Sequence, residues 1–116
     1  MAYSSTPNIE VHNFQIESVE LRIGESLTFS FEIKAKKDEA LMVDYVLYFQ
    51  TKTGKLSPKV HKIKKFNIQK NKPVNISKKH PFRVNMTTRK LYAGEHRLVL
   101  QINGQTYGEV AFDLYV

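Results

Sequence analysis

The basic side chains of this sequence are concentrated in one segment. Residues 52–97 contain fourteen Lys or Arg residues and a single acidic residue, Glu95, which gives the segment a net charge of +13. The remainder of the chain carries a net charge of −6. Ammonium and guanidinium groups bind phosphate oxygens, so a surface that gathers them would attract nucleic acid, and it would equally attract an acidic protein. Charge alone does not choose between these partners.

The spacing within this segment predicts a continuous basic patch. Neighbouring β-strands lie about 5 Å apart, so basic side chains on adjacent strands could together neutralise several phosphates. The candidate members are Lys59, Lys62, Lys64, Lys65, Lys78, Lys79, Arg83, Arg89, Lys90 and Arg97. The hydroxyls of Thr87 and Thr88 would add donors suited to phosphate oxygens. The alternative is a solvated face on which lysines protect sheet edges from aggregation.

Motifs for catalysis are absent from the sequence. It has no cysteine, no Gly-x-Ser-x-Gly elbow and no glycine-rich phosphate loop. The four histidines show no His-x-x-x-His spacing, and the acids lie almost entirely outside the basic segment. We therefore expect a non-enzymatic chain with no cofactor and no metal site.

Length and composition predict one globular domain. The chain has 116 residues, of which 41% are hydrophobic and 25% charged, enough to form a core without disulfides. Residues 1–7 are small and polar, and we expect a flexible leader there. No apolar run is long enough to span a membrane, and residues 1–8 do not resemble a signal peptide. A cytoplasmic location with no membrane partner is expected.

Alternation of apolar and polar residues recurs along the chain and predicts β-strands. Strands are expected at residues 8–16, around 19–21, and at 26–34, 41–51, 59–68, 74–82, 94–102 and 105–116. The alternation breaks near Lys65 and Phe66, which predicts a β-bulge. Asn103-Gly104 between two alternating runs predicts a type I′ hairpin.

Seven or eight such strands without a helical segment indicate an all-β fold. We predict an antiparallel two-sheet sandwich of immunoglobulin-like, fibronectin III-like type over residues 8–116. A small barrel is the alternative architecture. Tyr92, just before the strand from Gly94, is expected to hydrogen-bond back to the main chain at the corner of the sandwich.

A series of short motifs supports a family resemblance. It begins with Ser57-Pro-Lys-Val60 and continues with Lys78-Lys-His-Pro-Phe-Arg83, Thr87-Thr-Arg89, Tyr92-Ala-Gly-Glu-His-Arg97 and Gln101-Ile-Asn-Gly104. The series resembles the C-terminal immunoglobulin-like domain of bacterial DNA alkylation repair proteins of the helical-repeat type. In that family the helical repeats cradle DNA and remove alkylated bases. The resemblance implies that this chain is the accessory module, without the part expected to carry catalysis.

The resemblance also implies partners and contact residues. The implied partners are the phosphate backbone of DNA and a helical-repeat glycosylase domain in cis. Phosphate contacts are expected from Lys79, Arg83, Arg89 and Arg97 with the hydroxyls of Thr87 and Thr88, and Lys62, Lys64 and Lys65 would extend the patch. Phe82, Tyr92 and Gly94 are assigned to the fold, while His80 and His96 are either phosphate donors or supports for a loop.

Two functions stay open from the sequence. The first is a non-catalytic module that binds DNA without sequence preference. The second is a protein-interaction module that docks on a helical-repeat domain or an acidic partner. Carbohydrate binding is a weaker third option, because the chain has no Trp.

Overall fold

A computed structural model describes residues 3–82 and 92–115 of the chain. Eight β-strands make up its regular secondary structure: β1 (Ile9–Ile16), β2 (Glu20–Arg22), β3 (Ser26–Ala35), β4 (Glu39–Gln50), β5 (Leu56–Ile68), β6 (Val74–Pro81), β7 (Gly94–Ile102) and β8 (Gln105–Tyr115). The described residues contain no helix long and apolar enough to cross a bilayer.

The strands form a two-sheet sandwich, as predicted. The small sheet has the order β1-β3-β6, and the large sheet has the order β2-β8-β7-β4-β5. Every pairing is antiparallel except that of β2 with β8, which is parallel. The expected fully antiparallel arrangement is therefore corrected at one edge, where the short β2 joins the sheet beside the last strand.

Alternating side chains of β3 and β4 form the centre of the core. In β3 the residues Leu27, Phe29, Phe31 and Ile33 are buried, and in β4 the odd-numbered residues from Leu41 to Phe49 are buried. Because alternate side chains of a strand point to opposite faces, each strand presents one apolar face to the other sheet. β4 is also covered on part of its outer face, where Asp44 and Val46 are buried.

Asn103 and Gly104 form the predicted hairpin between β7 and β8. Their φ angles are 50° and 82°, the left-handed values that a type I′ turn requires. The amide of Asn103 also ties three segments together, because its Oδ1 accepts from the N–H of Met42 at 2.7 Å. Its Nδ2 donates to the carbonyl oxygens of Ser4 at 2.8 Å and Ala40 at 3.1 Å.

The segment expected to be a flexible leader makes contacts with the sandwich. The carbonyl of Ser4 accepts the bond from Asn103, and Pro7 is buried. These contacts place residues 4–7 against the same end of the domain as the β7–β8 hairpin.

The predicted bulge is present in β5, slightly earlier than expected. Val43 pairs with Lys64 while the next residue, Asp44, pairs with Lys62. The extra residue is thus Ile63, two positions before Lys65. Since one inserted residue reverses the side chains that follow, the bulge decides which lysines of β5 face outward.

Candidate nucleic-acid interface

Two edge strands bring six lysines of the basic segment to one lateral side of the sandwich. β5 ends the large sheet and β6 ends the small sheet. These edges are adjacent, because the ring centroids of His61 on β5 and His80 on β6 lie 4.8 Å apart. We call this side the basic edge, defined by Lys59, Lys62, Lys64, Lys65, Lys78 and Lys79.

Register and alternation arrange these lysines in three tiers. Lys62 and Lys65 pair with Asp44 and Met42, so they lie on the outer face of the large sheet. Lys79 pairs with Thr28 and lies on the outer face of the small sheet. The tiers are therefore joined along an edge of the sandwich, and the predicted patch is not a single sheet face.

The middle tier lies in the seam between the two sheets. Lys59 and Lys64 pair with the buried residues Leu47 and Val43, so their side chains point to the inner face of the large sheet. Because β5 is an edge strand, this part of the inner face is open to solvent. The Nζ of Lys64 lies 5.0 Å from the centroid of the Phe66 ring. Lys78 on β6 is half-buried in the same seam.

The lysines of the basic edge have no ion-pair partner among the described residues. Elsewhere in the described part of the chain, Lys34 and Lys37 lie 3.8 and 3.9 Å from the carboxylates of Glu32 and Glu39. Strand pairing holds six ammonium groups together without neutralising them. This arrangement is suited to a polyanion.

Arg97 does not belong to the basic edge. It lies on the outer face of the large sheet, where its Nη2 is 3.2 Å from Glu95 and its Nη1 is 3.3 Å from Glu109. Hydrogen bonds to Glu109 and Glu95 raise the pKa of the guanidinium. A phosphate contact by Arg97 stays a prediction, and in this structure its guanidinium pairs with two carboxylates.

Four other predicted contact residues, Arg83, Thr87, Thr88 and Arg89, lie outside the described residues. The predicted hydrogen bond of Tyr92 to the main chain stays a prediction. Gly94 has a φ of 129°, a conformation that favours glycine. Phe82 is fully buried between the sheets, which confirms its assignment to the fold.

His80 and His96 have different surroundings. His96 is 1% exposed, and its ring nitrogens lie 3.0 Å from the carbonyl oxygen of Gly94 and 3.4 Å from the main-chain nitrogen of Gln50. Burial lowers its pKa, and we assign it to structural support. His80 is half-buried in the seam, with its Nδ1 2.8 Å from the hydroxyl of Tyr45. Of the two histidines, His80 is the one placed among the lysines of the basic edge.

The sequence indicated the charge of this region but not its geometry. Lys59 and Lys78 are members of the predicted patch but not predicted contacts, and His61 is neither. A signal for them was available: a lysine-rich strand containing a proline and a bulge is typical of a sheet edge. Among the described residues, no group of three or more His, Asp or Glu side chains could hold a metal ion.

Comparison with known proteins gives one family. Residues 10–116 match the family described as "Uncharacterised protein YhaZ, C-terminal Ig-like domain". The chain is 33% identical over 112 residues to YhaZ of Bacillus subtilis strain 168, an alignment that covers 97% of this chain and 31% of YhaZ.

Solved structures share the fold. The Pseudomonas fluorescens alkylpurine DNA glycosylase AlkC, bound to DNA containing an abasic site analog, matches with a TM-score of 0.91 and 27% identity over 96% of this chain and 31% of AlkC. A β-glucosidase from Listeria innocua in complex with isofagomine matches with a TM-score of 0.74 and 18% identity over 95% of this chain and 17% of the enzyme. The latter likeness extends to the fold alone. The chain spans about a third of the length of YhaZ and of AlkC.

Proposed function

The chain belongs to the family of YhaZ C-terminal Ig-like domains, and from this premise we propose that it is a non-catalytic accessory module that binds the backbone of DNA. The resemblance to the immunoglobulin-like domain of DNA alkylation repair proteins is confirmed by this family and by the likeness to AlkC. Binding to DNA, and the absence of catalysis in these residues, are our proposals.

The unneutralised basic edge is the observation that carries the proposal. Six lysines of two edge strands lie along this side of the sandwich, in the seam and on the two outer faces that flank it, without an ion-pair partner among the described residues. An ammonium group that contacts a phosphate releases a counterion from the DNA, which drives binding but reads no bases. Binding should therefore be independent of sequence and strongly weakened by salt.

The likeness to AlkC supports a role in handling damaged DNA. AlkC is an alkylpurine DNA glycosylase, and its solved structure is bound to DNA containing an abasic site analog. This chain corresponds to 31% of AlkC, and we place the chemistry of such a protein in the remainder. In this proposal the module holds the duplex while a helical-repeat domain in cis acts on the base.

A titration of the 116-residue chain with a random-sequence duplex, followed by fluorescence anisotropy, tests the proposal. If three phosphates are neutralised, affinity should fall about fortyfold between about 50 and 200 mM salt. The triple variant K59E/K62E/K64E should lose binding at the lower salt concentration.

A matched control separates the basic edge from net charge. The variant K34E/K36E/K37E reverses three lysines outside the basic edge and changes net charge by the same amount, so it should retain most of the affinity. Equal losses in both variants would show that binding depends only on net charge. An absence of binding to wild-type protein at about 50 mM salt would refute the proposal.

A second candidate is the protein-interaction module, and Val60 favours it. Val60 is 56% exposed on β5, and its cross-strand neighbour Val46 is already buried on the outer face of the large sheet. An apolar side chain exposed beside lysines suits a protein partner. A complex that persists at high salt and is weakened by Val60→Asp, with DNA ignored, would support this candidate over the first.

A further inference from the structure

The seam of the basic edge contains a cluster of groups that titrate or hydrogen-bond. The hydroxyl of Tyr45 lies 2.8 Å from Nδ1 of His80. The ring of His61 stacks on that of Tyr45 at 5.0 Å and meets the ring of His80 at 4.8 Å. The cluster is bordered by the half-buried Lys78.

The groups around His80 are almost all basic or neutral. β4 contributes Tyr45, β5 contributes His61 and β6 contributes Lys78. The ring of Phe82 packs against the ring of His80 at a centroid distance of 5.2 Å. The carboxylate of Asp44, next to Tyr45 in β4, is on the opposite face of its strand. The seam is therefore a half-buried site of positive potential without a facing acid among the described residues.

We propose that a phosphate of bound DNA sits in this seam against His80 and that His80 takes up a proton when the phosphate arrives. This inference rests on the proposed function and specifies one contact of the same interface. The ligand class is a phosphodiester, and the residues involved are His80, His61 and Lys78, with Tyr45 as a positioning residue.

Tyr45 can support both charge states of His80. In the neutral ring, a hydrogen bond donated by the Tyr45 hydroxyl to Nδ1 places the ring proton on Nε2. When a solvent proton adds to Nδ1, the ring donates instead and the hydroxyl oxygen accepts. Burial raises the pKa of Tyr45 to about 12, so the hydroxyl stays neutral while it changes from donor to acceptor.

The charge balance explains why the ligand and the proton bind together. Burial, His61 and Lys78 lower the pKa of His80 to about 4, so the ring is neutral in the free domain. A phosphate in the seam opposes the repulsion from the neighbouring cations and favours the imidazolium. By linkage, a group whose pKa is raised by the ligand makes the ligand bind more tightly as pH falls.

The test is DNA affinity as a function of pH at constant ionic strength, measured for wild type, His80→Gln and His12→Gln. His12 is an exposed histidine on β1, next to Glu10, and it serves as the control. Between about pH 7.5 and 5.5, the gain in affinity of wild type should exceed that of His80→Gln by at least about threefold. His12→Gln should behave as wild type.

NMR titration of the histidine rings supplies a second measurement on wild-type protein alone. In the presence of saturating duplex, the pKa of His80 should rise from about 4 to about 6 or higher, the shift that a threefold gain in affinity at about pH 5.5 requires. If the pKa of His80 did not change in the complex, or if wild type and His80→Gln showed the same pH dependence, this inference would be overturned. Salt-dependent binding in the same experiments would still support the proposed function. Absence of DNA binding at every pH would overturn both.

Discussion

The ring of Phe14 occupies the space in which residue 108 would carry a side chain. A β-carbon added to Gly108 would lie 2.5 Å from Cδ2 and 3.0 Å from Cε2 of Phe14. The same ring makes edge contacts with Phe29 and Phe31 at centroid distances of 6.4 and 6.3 Å. Gly108 therefore allows a strand of the small sheet to pack closely on β8 of the large sheet.

Gly108→Ala should destabilise the domain, because the ring of Phe14 must leave its position against the core. Overpacking of this kind costs about 1–3 kcal/mol in the free energy of unfolding, which urea denaturation would measure. In a Phe14→Leu background the same substitution should cost less, because a smaller side chain leaves room for the methyl group. Equal costs in both backgrounds would contradict the contact.

Arg97→Gln should leave DNA affinity nearly unchanged, because Glu95 and Glu109 already occupy the guanidinium. By contrast, Lys64→Gln removes one free ammonium and should weaken binding about fivefold at about 50 mM salt. Anisotropy titrations of the two variants would compare them directly. A larger loss in Arg97→Gln would mean that DNA displaces the two carboxylates.

Acid should destabilise the domain through His80. Its pKa is lowered to about 4 in the folded state, below the value of about 6.5 for an unfolded histidine, so the unfolded chain binds the proton more readily. Stability is then fully present above about pH 6.5 and is lost as pH falls toward about 4. His96, whose pKa burial also lowers, adds to this trend.

Urea midpoints measured from about pH 7.5 down to 4.5 would reveal the dependence. His80→Gln should flatten the curve, and His12→Gln should not. A wild-type midpoint that did not change over this range would contradict the neutral, half-buried state of His80.

Asp44→Thr should stabilise the domain. Asp44 is 7% exposed, and its Oδ1 is buried without a hydrogen-bond partner. Replacing it with a β-branched residue removes an uncompensated polar atom from a central strand, which should raise the free energy of unfolding by about 1 kcal/mol.

A second aspartate provides the opposite case. Oδ1 of Asp38 accepts a hydrogen bond from the main-chain N–H of Lys70 at 2.7 Å, so Asp38→Ala should lower stability by about 1 kcal/mol. Thermal unfolding of both variants would show whether stability rises in Asp44→Thr and falls in Asp38→Ala. A loss of stability in Asp44→Thr would indicate that Lys62, its cross-strand neighbour, pairs with the carboxylate in solution.

The strands and the hairpin could be predicted because their signals are local. Alternation over ten residues determines the buried face of β3, and Asn103-Gly104 supplies the positive φ angles for the turn. The parallel pairing of β2 with β8 could not be predicted in this way, because the two strands are more than ninety residues apart and no single turn connects them.

The candidate site was predictable in charge but not in arrangement. The segment that carries Lys62, Lys64 and Lys79 was evident, yet the order of strands decides that an edge, and not a sheet face, gathers them. For Arg97, the arrangement depends on a register shift in the β7–β8 hairpin between Leu100 and Gln101, which the Asn-Gly turn does not predict. The shifted register pairs Arg97 with Ala111 and Val99 with Glu109, which puts Glu109 diagonally across from Arg97 and within reach.

The place of β8 has a consequence for folding during protein synthesis. β8 lies between β2 and β7 in the large sheet, so an interior strand is the last of the eight to leave the ribosome. Until Leu114 has emerged, β2 lacks its partner and the buried side of β7 lacks the apolar side chains Phe112 and Leu114. The nascent chain can therefore complete its large sheet only after the whole domain has been translated.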